Sequence, residues 1–292
     1  VYLAASQRRR GLSSRKELPQ QLSSFEIVWA CSTFLGGVME AQYLLLSIAD
    51  RVATVTINRP DKGNSLSPEV IAEVEQTFTE LSANEDVHVI ILTGGEKMFS
   101  AGFDLEYIKT IRKEANEEFT ALFHRAYRAI MFCTQPVIAA VGGPAIAGGF
   151  DLTLMCDIRY ASERAKFGQR EIVLTLNPIL DPLWRIIGLG AAREMALTGR
   201  IIDAEEAFRL GYVSRIFPTG EVVESVTKIA REMAAYDRDC LAETKQLSIS
   251  VLDQSLDTAM KTQEWLFRTY IGAEDNKVRI EALQEMLKKR AR

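Results

Sequence analysis

The chain has 292 residues, 47% of them hydrophobic and 25% charged, which is ordinary globular composition for one large α/β domain or two smaller ones. Thirty-five Lys and Arg against 39 Asp and Glu leave a net charge of −4, which argues against a generic polyanion binder relying on phosphate neutralisation. At this length a core forms without disulfide or metal staples, and no apolar run approaches the roughly 20 residues that a membrane span needs.

Residues 1–38 stand apart. Arg8, Arg9, Arg10, Arg15 and Lys16 cluster among serines, and no helical or strand period runs through them. The segment reads as a disordered N-terminal extension, or as upstream sequence before a start at Met39; a transit or signal-like element is the alternative, although no convincing small-x-small cleavage site is present. Well-patterned sequence begins near Tyr43. Val52 to Ile57 alternates as a strand does. Ser67 then offers an N-cap with Pro68 at the first helical position, and Val70, Ile71, Val74, Phe78 and Leu81 follow at helical spacing. Val87 to Thr93 and Pro136 to Val141 are continuous apolar runs, each ending at a glycine pair, so both predict interior strands. Between them, residues 105–131 read as one long mixed-charge helix. Beyond residue 180 the chain is mostly helical, with Asp203, Ala204, Glu205 and Glu206 matching a capping box.

The four cysteines, Cys31, Cys133, Cys156 and Cys240, are widely spaced and predict buried thiols in a reducing compartment rather than a metal site. Only two histidines exist, His88 and His124, and His124 falls along the predicted 105–131 helix, so carboxylates are the better acid and base candidates.

Two glycine-containing turns each follow a predicted buried strand: Phe99-Ser100-Ala101-Gly102-Phe103-Asp104, and Gly142 through Asp151. If Gly148 and Gly149 open a helix toward Met155, its free N–H groups and positive dipole end suit an anion. These turns, together with Asn58-Arg59-Pro60, Leu92 to Gly95, Pro136 to Val141, Gly148 to Asp157, Phe167-Gly168, Glu171, Leu197-Thr198-Gly199 and Ala204 to Val213, resemble in order and spacing the enoyl-CoA hydratase/isomerase, or crotonase, superfamily.

That resemblance covers residues 43–292. It implies an α/β fold, a spiral of ββα units over 39–230, with a C-terminal helical region over 231–292, assembled as a homotrimer or a homohexamer. It implies an acyl-CoA thioester substrate with no cofactor beyond the CoA that the substrate carries, and no metal. By position, the N–H groups of Phe103 and Gly148 match the family's oxyanion hole, and Asp151 and Glu171 match its paired catalytic acids. Asp104 and Lys62 match positions near the substrate. The reaction expected is hydration of a 2-enoyl-CoA; the alternative is enoyl- or dienoyl-CoA double-bond isomerisation. An RNA-binding protein on the same scaffold ranks below both, because Lys109, Arg112, Lys113, Arg125 and Arg128 are interrupted by glutamates and form no basic stripe. A cytoplasmic location is expected, or a mitochondrial matrix one if 1–38 is a transit segment.

The sequence departs from the hydratase pattern at several places. Asp151 stands where a glutamate is usual, about 1.5 Å shorter in reach, so water or backbone must compensate. Arg170 replaces a common proline, and a cation there would favour ionised Glu171 or simply pair with it at the surface. The glycines expected after Glu171 give way to Leu176 through Trp184. Asp181 lies near the third acid of dienoyl-CoA isomerases, two residues late, and with Pro182 reads as a helix N-cap.

Overall fold

The computed structural model describes residues 28–29 and 42–290. Its strands in chain order are β1 (Val28–Trp29), β2 (Leu44–Ala49), β3 (Val52–Ile57), β4 (Val89–Thr93), β5 (Val137–Val141), β6 (Ala145–Ile146), β7 (Ile158–Ser162), β8 (Lys166–Gly168), β9 (Ile202–Asp203) and β10 (Arg215–Phe217). Apart from Val28 and Trp29, the expectation for residues 1–38 lies outside the described residues. β2 and β3 form an antiparallel hairpin whose two turn residues, Asp50 and Arg51, both adopt positive φ, the geometry that suits the right-handed twist of the flanking strands. From β3 onward the main sheet is parallel, and its seven strands run β1-β2-β3-β4-β5-β7-β10. A second sheet of three strands, β6-β8-β9, stands beside it.

The continuous apolar runs belong where they were expected, because the interior strands are covered on both faces. On one face Ile90, Leu92, Ala139 and Val141 meet the helices α1 (Pro68–Ala83), α2 (Leu105–Ile108), α3 (Glu117–Met131) and α4 (Gly148–Leu154). On the other face Val89, Ile91, Ile138 and Ala140 meet Val222, Val226 and Ala230 of a later helix. Alternate residues of one strand thus serve two cores, as a period of two requires. α1 starts as predicted: Ser67 accepts a hydrogen bond from the Val70 N–H, and Pro68 occupies the first turn. Its buried Glu73 accepts hydrogen bonds from the Gln42, Tyr43 and Leu44 N–H groups at 2.9–3.0 Å, tying the start of β2 to the helix.

The expected 105–131 helix is broken. α2 ends at Ile108, a 3-10 turn spans Lys113–Ala115, and α3 begins at Glu117. The break brings Tyr107 and Phe119 together, with ring centroids 5.3 Å apart. Twelve residues of unbroken helix would hold their Cα atoms about 18 Å apart, so one straight helix could not bury both in the same cluster.

The remaining helices are α5 (Leu183–Ile187), α6 (Leu189–Thr198), α7 (Ala204–Arg209), α8 (Val222–Ala234), α9 (Arg238–Ser250), α10 (Leu256–Tyr270) and α11 (Glu274–Arg290). Asp203 caps α7 by accepting from the Glu206 N–H at 2.8 Å. The Glu206 carboxylate does not complete a reciprocal box, because it pairs with Arg200 instead. α9 is docked by a buried ion pair: Lys245 Nζ lies 2.8 Å from the Asp157 carboxylate and also donates to the Gln135 carbonyl. Among the described residues no helix is long and apolar enough to cross a membrane.

Candidate active site

The two glycine turns meet because each continues a neighbouring parallel strand. Leu66 donates to the Gly102 carbonyl and accepts from the Asp104 N–H, so both bonds flank Phe103 and leave its own N–H on the opposite side. Ser100 bridges to Ala145, with the Ile146 N–H donating to the Ser100 carbonyl at 3.0 Å. Gly102, at φ +92°, packs so closely on the second turn that a Cβ would lie 2.7 Å from the Ile146 carbonyl oxygen and 3.2 Å from the Gly148 nitrogen. A Cβ on Gly149 would meet the Ser100 carbonyl oxygen at 2.5 Å. Contact therefore requires glycine at both positions, and at Gly102 conformation requires it too. Between the turns and α4, Ala147 adopts φ 50° and ψ −127°, a strained conformation for a residue with a Cβ. It is held by its N–H bond to the Gly168 carbonyl at 2.8 Å. Among the described residues, neither the Phe103 N–H nor the Gly148 N–H has an acceptor.

The same Gly168 contact belongs to the pairing of β6 with β8, and it explains how two distant acids meet. α4 leaves β6 and carries Asp151 in its first turn; the chain after β8 enters a 3-10 turn whose first residue is Glu171. Both carboxyl groups are buried. Asp151 Oδ2 accepts a hydrogen bond from the Tyr127 hydroxyl at 3.3 Å, while Asp151 Oδ1 and both Glu171 oxygens have no partner. Burial, and then the charge of Glu171, push Asp151 well above the usual carboxylate range. Burial likewise raises Glu171. Unpartnered buried acids destabilise a fold, so the arrangement reads as a site that waits for a ligand.

Tyr127 is a site residue that sequence reasoning missed. Phe119, Phe123 and Tyr127 recur at i, i+4 spacing along α3, and a buried tyrosine needs a partner for its hydroxyl, so that face carried a usable signal. Burial and the charges of Asp151 and Glu171 raise the Tyr127 hydroxyl well above its ordinary value, keeping it a donor. Gln169 is also buried: its amide nitrogen donates to the Ile179 carbonyl, and its amide oxygen is unpartnered. That bond ties the segment replacing the expected glycines to the wall of the site. Phe103 packs its ring against Phe119 and Phe123 at 5.4 and 5.2 Å, the apolar wall expected of it.

Other predicted residues sit elsewhere. Asp104 caps α2 through the Glu106 N–H and accepts from Arg59 at 2.8 Å, and the Arg59 hydrogen bond holds its carboxyl below the usual range. Lys62 is exposed in a 3-10 turn spanning Pro60–Lys62. Arg170 does not pair with Glu171: its guanidinium donates to the Gly199 carbonyl at 2.8 Å, which directs it away from the acid. Asp181 does not cap a helix, since α5 starts at Leu183 with Pro182 in the cap position. Its carboxylate takes the stronger, charge-assisted bonds from Arg185 Nε at 2.9 and 3.1 Å, on the exposed side of the chain. His124 is an exposed residue of α3. Among the described residues, no group of three or more His, Cys, Asp or Glu is placed to hold a metal ion.

Comparison with known proteins agrees with this geometry. The chain is 32% identical over 256 residues to the short-chain-enoyl-CoA hydratase of Clostridium acetobutylicum, covering 86% of this chain and 97% of that one. It is 31% identical, with the same coverage, to the crotonyl-CoA hydratase of Syntrophomonas wolfei. A crystal structure of enoyl-CoA hydratase from Bacillus anthracis superposes with a TM-score of 0.78 at 31% identity, over 85% of this chain and 97% of that one. The α/β fold is thus the crotonase fold. A profile of the enoyl-CoA hydratase/isomerase family matches residues 47–291, and the chain belongs to that family.

Proposed function

We propose that this protein adds water across the double bond of a 2-enoyl-CoA, or removes it in the reverse direction. The observation that carries the reading is the pair of buried acids, Asp151 and Glu171, of which Asp151 Oδ1 and both Glu171 oxygens have no partner among the described residues. One carboxylate accepts a proton from the attacking water as its oxygen bonds to the β-carbon; the other, protonated, delivers a proton to the α-carbon. Burial beside one another favours a pair that shares one proton, which is the state this division of labour needs. Between the two steps negative charge collects on the thioester oxygen, where the N–H groups of Phe103 and Gly148 act as fixed donors. Asp104 is occupied by Arg59 and the α2 cap, so its part in substrate binding is to hold the turn that carries Phe103. Lys62, exposed on the adjacent turn, is the candidate partner for a CoA phosphate. The chemistry calls for no cofactor besides the CoA of the substrate.

The dienoyl-CoA isomerase alternative needs a third acid in the site, and Asp181 is instead half exposed and paired with Arg185. The decisive experiment incubates the purified protein with a panel of enoyl- and dienoyl-CoA thioesters and follows products by mass. Hydration adds one water to the acyl group. An unchanged product mass with a moved double bond overturns it in favour of isomerisation.

Exposed apolar residues of the C-terminal helices, among them Leu256, Met260, Trp265 and Phe267, support assembly as a homotrimer or a homohexamer. Free thiols at Cys133, Cys156 and Cys240 support a reducing, cytoplasmic setting.

A further inference from the structure

We infer that Tyr127 is the positioning residue of Asp151, its hydroxyl supplying from α3 the reach that an aspartate lacks at a position where this family commonly has glutamate. The inference rests on the reading of Asp151 as one of the two reacting acids. Its geometric basis is the hydrogen bond from Tyr127 Oη to Asp151 Oδ2 at 3.3 Å. Tyr127 is itself buried, and the rings of Phe123 and His124 lie 5.5 and 6.4 Å from its own. The ring is thereby fixed, and so is the direction of its hydroxyl. With Oδ2 engaged, Oδ1 is the oxygen left for water and substrate. On α3, Phe119 and Phe123 pack on Phe103 of the first turn while Tyr127 reaches Asp151 of α4.

The other groups around Asp151 are mostly engaged elsewhere. Glu171, from the turn after β8, contributes a repelling charge. Gln169 from the same segment gives one amide N–H to the Ile179 carbonyl, and its amide also favours the ionised form of Asp151. Tyr212 directs its hydroxyl to Thr153 and to the Phe150 carbonyl. Arg159 on β7 is occupied by the carbonyls of Tyr212, Thr153 and Cys156. Gln169 and Tyr127 both favour the ionised form of Asp151, and the Tyr127 hydroxyl bond to Oδ2 fixes where that form points.

The test is Tyr127→Phe, which keeps the ring and deletes the hydroxyl. Asp151 is followed directly by NMR of protein carrying ¹³C-labelled aspartate, with Asp151→Asn assigning the signal. Loss of a donor to the carboxylate should move the Asp151 titration to higher pH by about half a unit or more. With the 2-enoyl-CoA that the wild type turns over fastest, kcat should fall on the order of ten- to a hundred-fold, KM should change little, and the acid limb of the pH profile should move up with the titration. In an Asp151→Glu background the same change should cost far less, because the longer side chain carries its carboxyl forward without help. An unmoved titration overturns the inference, whatever happens to activity. A fall in kcat with an unmoved titration reduces Tyr127 to packing, and equal losses in the two backgrounds also overturn it. A moved titration in a protein that adds no water to any thioester leaves the Tyr127–Asp151 relation standing and removes the hydration reading instead.

Discussion

At the scale of the residue, the two acids set activity against stability. Both are raised by burial, so between the unfolded and folded carboxylate values the folded pair holds more protons than the unfolded chain. Stability from this source is therefore present below the unfolded carboxylate range and is lost as pH rises toward the folded values. Asp151→Asn and Glu171→Gln remove that penalty. Each should raise the melting temperature at pH 7 by about 2–4 °C, the shift that ~1 kcal/mol gives a chain of this size, and the gain should shrink near pH 4. Each should also suppress hydration by at least about a hundred-fold, and the double variant should lose much less than the product of the two. A melting temperature that falls equally at both pH values would show that the carboxyls stabilise the fold. The oxyanion donors are tested separately. Gly148 is the first residue of α4, and Gly148→Pro deletes its N–H and also disturbs the turn, because proline disfavours the Ala147 backbone and a Cβ would meet Leu66 and Phe103 at 3.3 Å. Turnover should drop on the order of a hundred-fold or more, and a folded variant with full turnover would remove Gly148 from the site. The glycine turns that carry Phe103, Gly148 and Asp151 have a local signature, whereas the roles proposed for these residues and for Glu171 come from the family resemblance. For Tyr127 the aromatic face of α3 was readable but its partner was not, since the contact with Asp151 joins two helices through residues distant in the chain.

At the scale of the element, what could be read from sequence is what is decided locally. Ser67 and Pro68 start α1, Gly148 starts α4, and the β4 and β5 runs are continuous because both faces are covered. The failures share one cause, competition from a partner that the local motif does not include. β10 has three residues and owes its existence to pairing with β7. The 105–131 segment breaks because Tyr107 and Phe119 must reach one cluster. At Asp181 the cap motif loses to Arg185, and this gives a test that also bears on function. Asp181→Asn removes an exposed ion pair of the kind that contributes about 0–1 kcal/mol, so stability and turnover should both stay close to wild type. Abolished turnover in that variant would bring Asp181 into the reaction and favour the isomerase.

At the scale of the whole molecule, the main sheet and its helices form a finished core, whereas the last helices do not. α8 buries Val222, Val226 and Ala230, but α10 buries only Ala259 and turns Leu256, Met260, Trp265 and Phe267 outward, with Phe267 68% exposed. A single chain would leave these side chains in water although nothing prevents α10 from packing, since α9 is already anchored to the core through Lys245 and Asp157. Covering them with copies of the same chain removes the apolar surface without changing the core, which is why assembly is expected to be closed and symmetric. Sedimentation at micromolar concentration should therefore give three or six times the mass of the chain. Phe267→Glu combined with Met260→Glu should shift it to a single chain, with the sheet's circular dichroism retained. Turnover of the dissociated form then tells whether assembly also shapes the active site. A wild-type chain that sediments alone at these concentrations, or a double variant that stays assembled, would mean that α10 is covered by something other than a second copy.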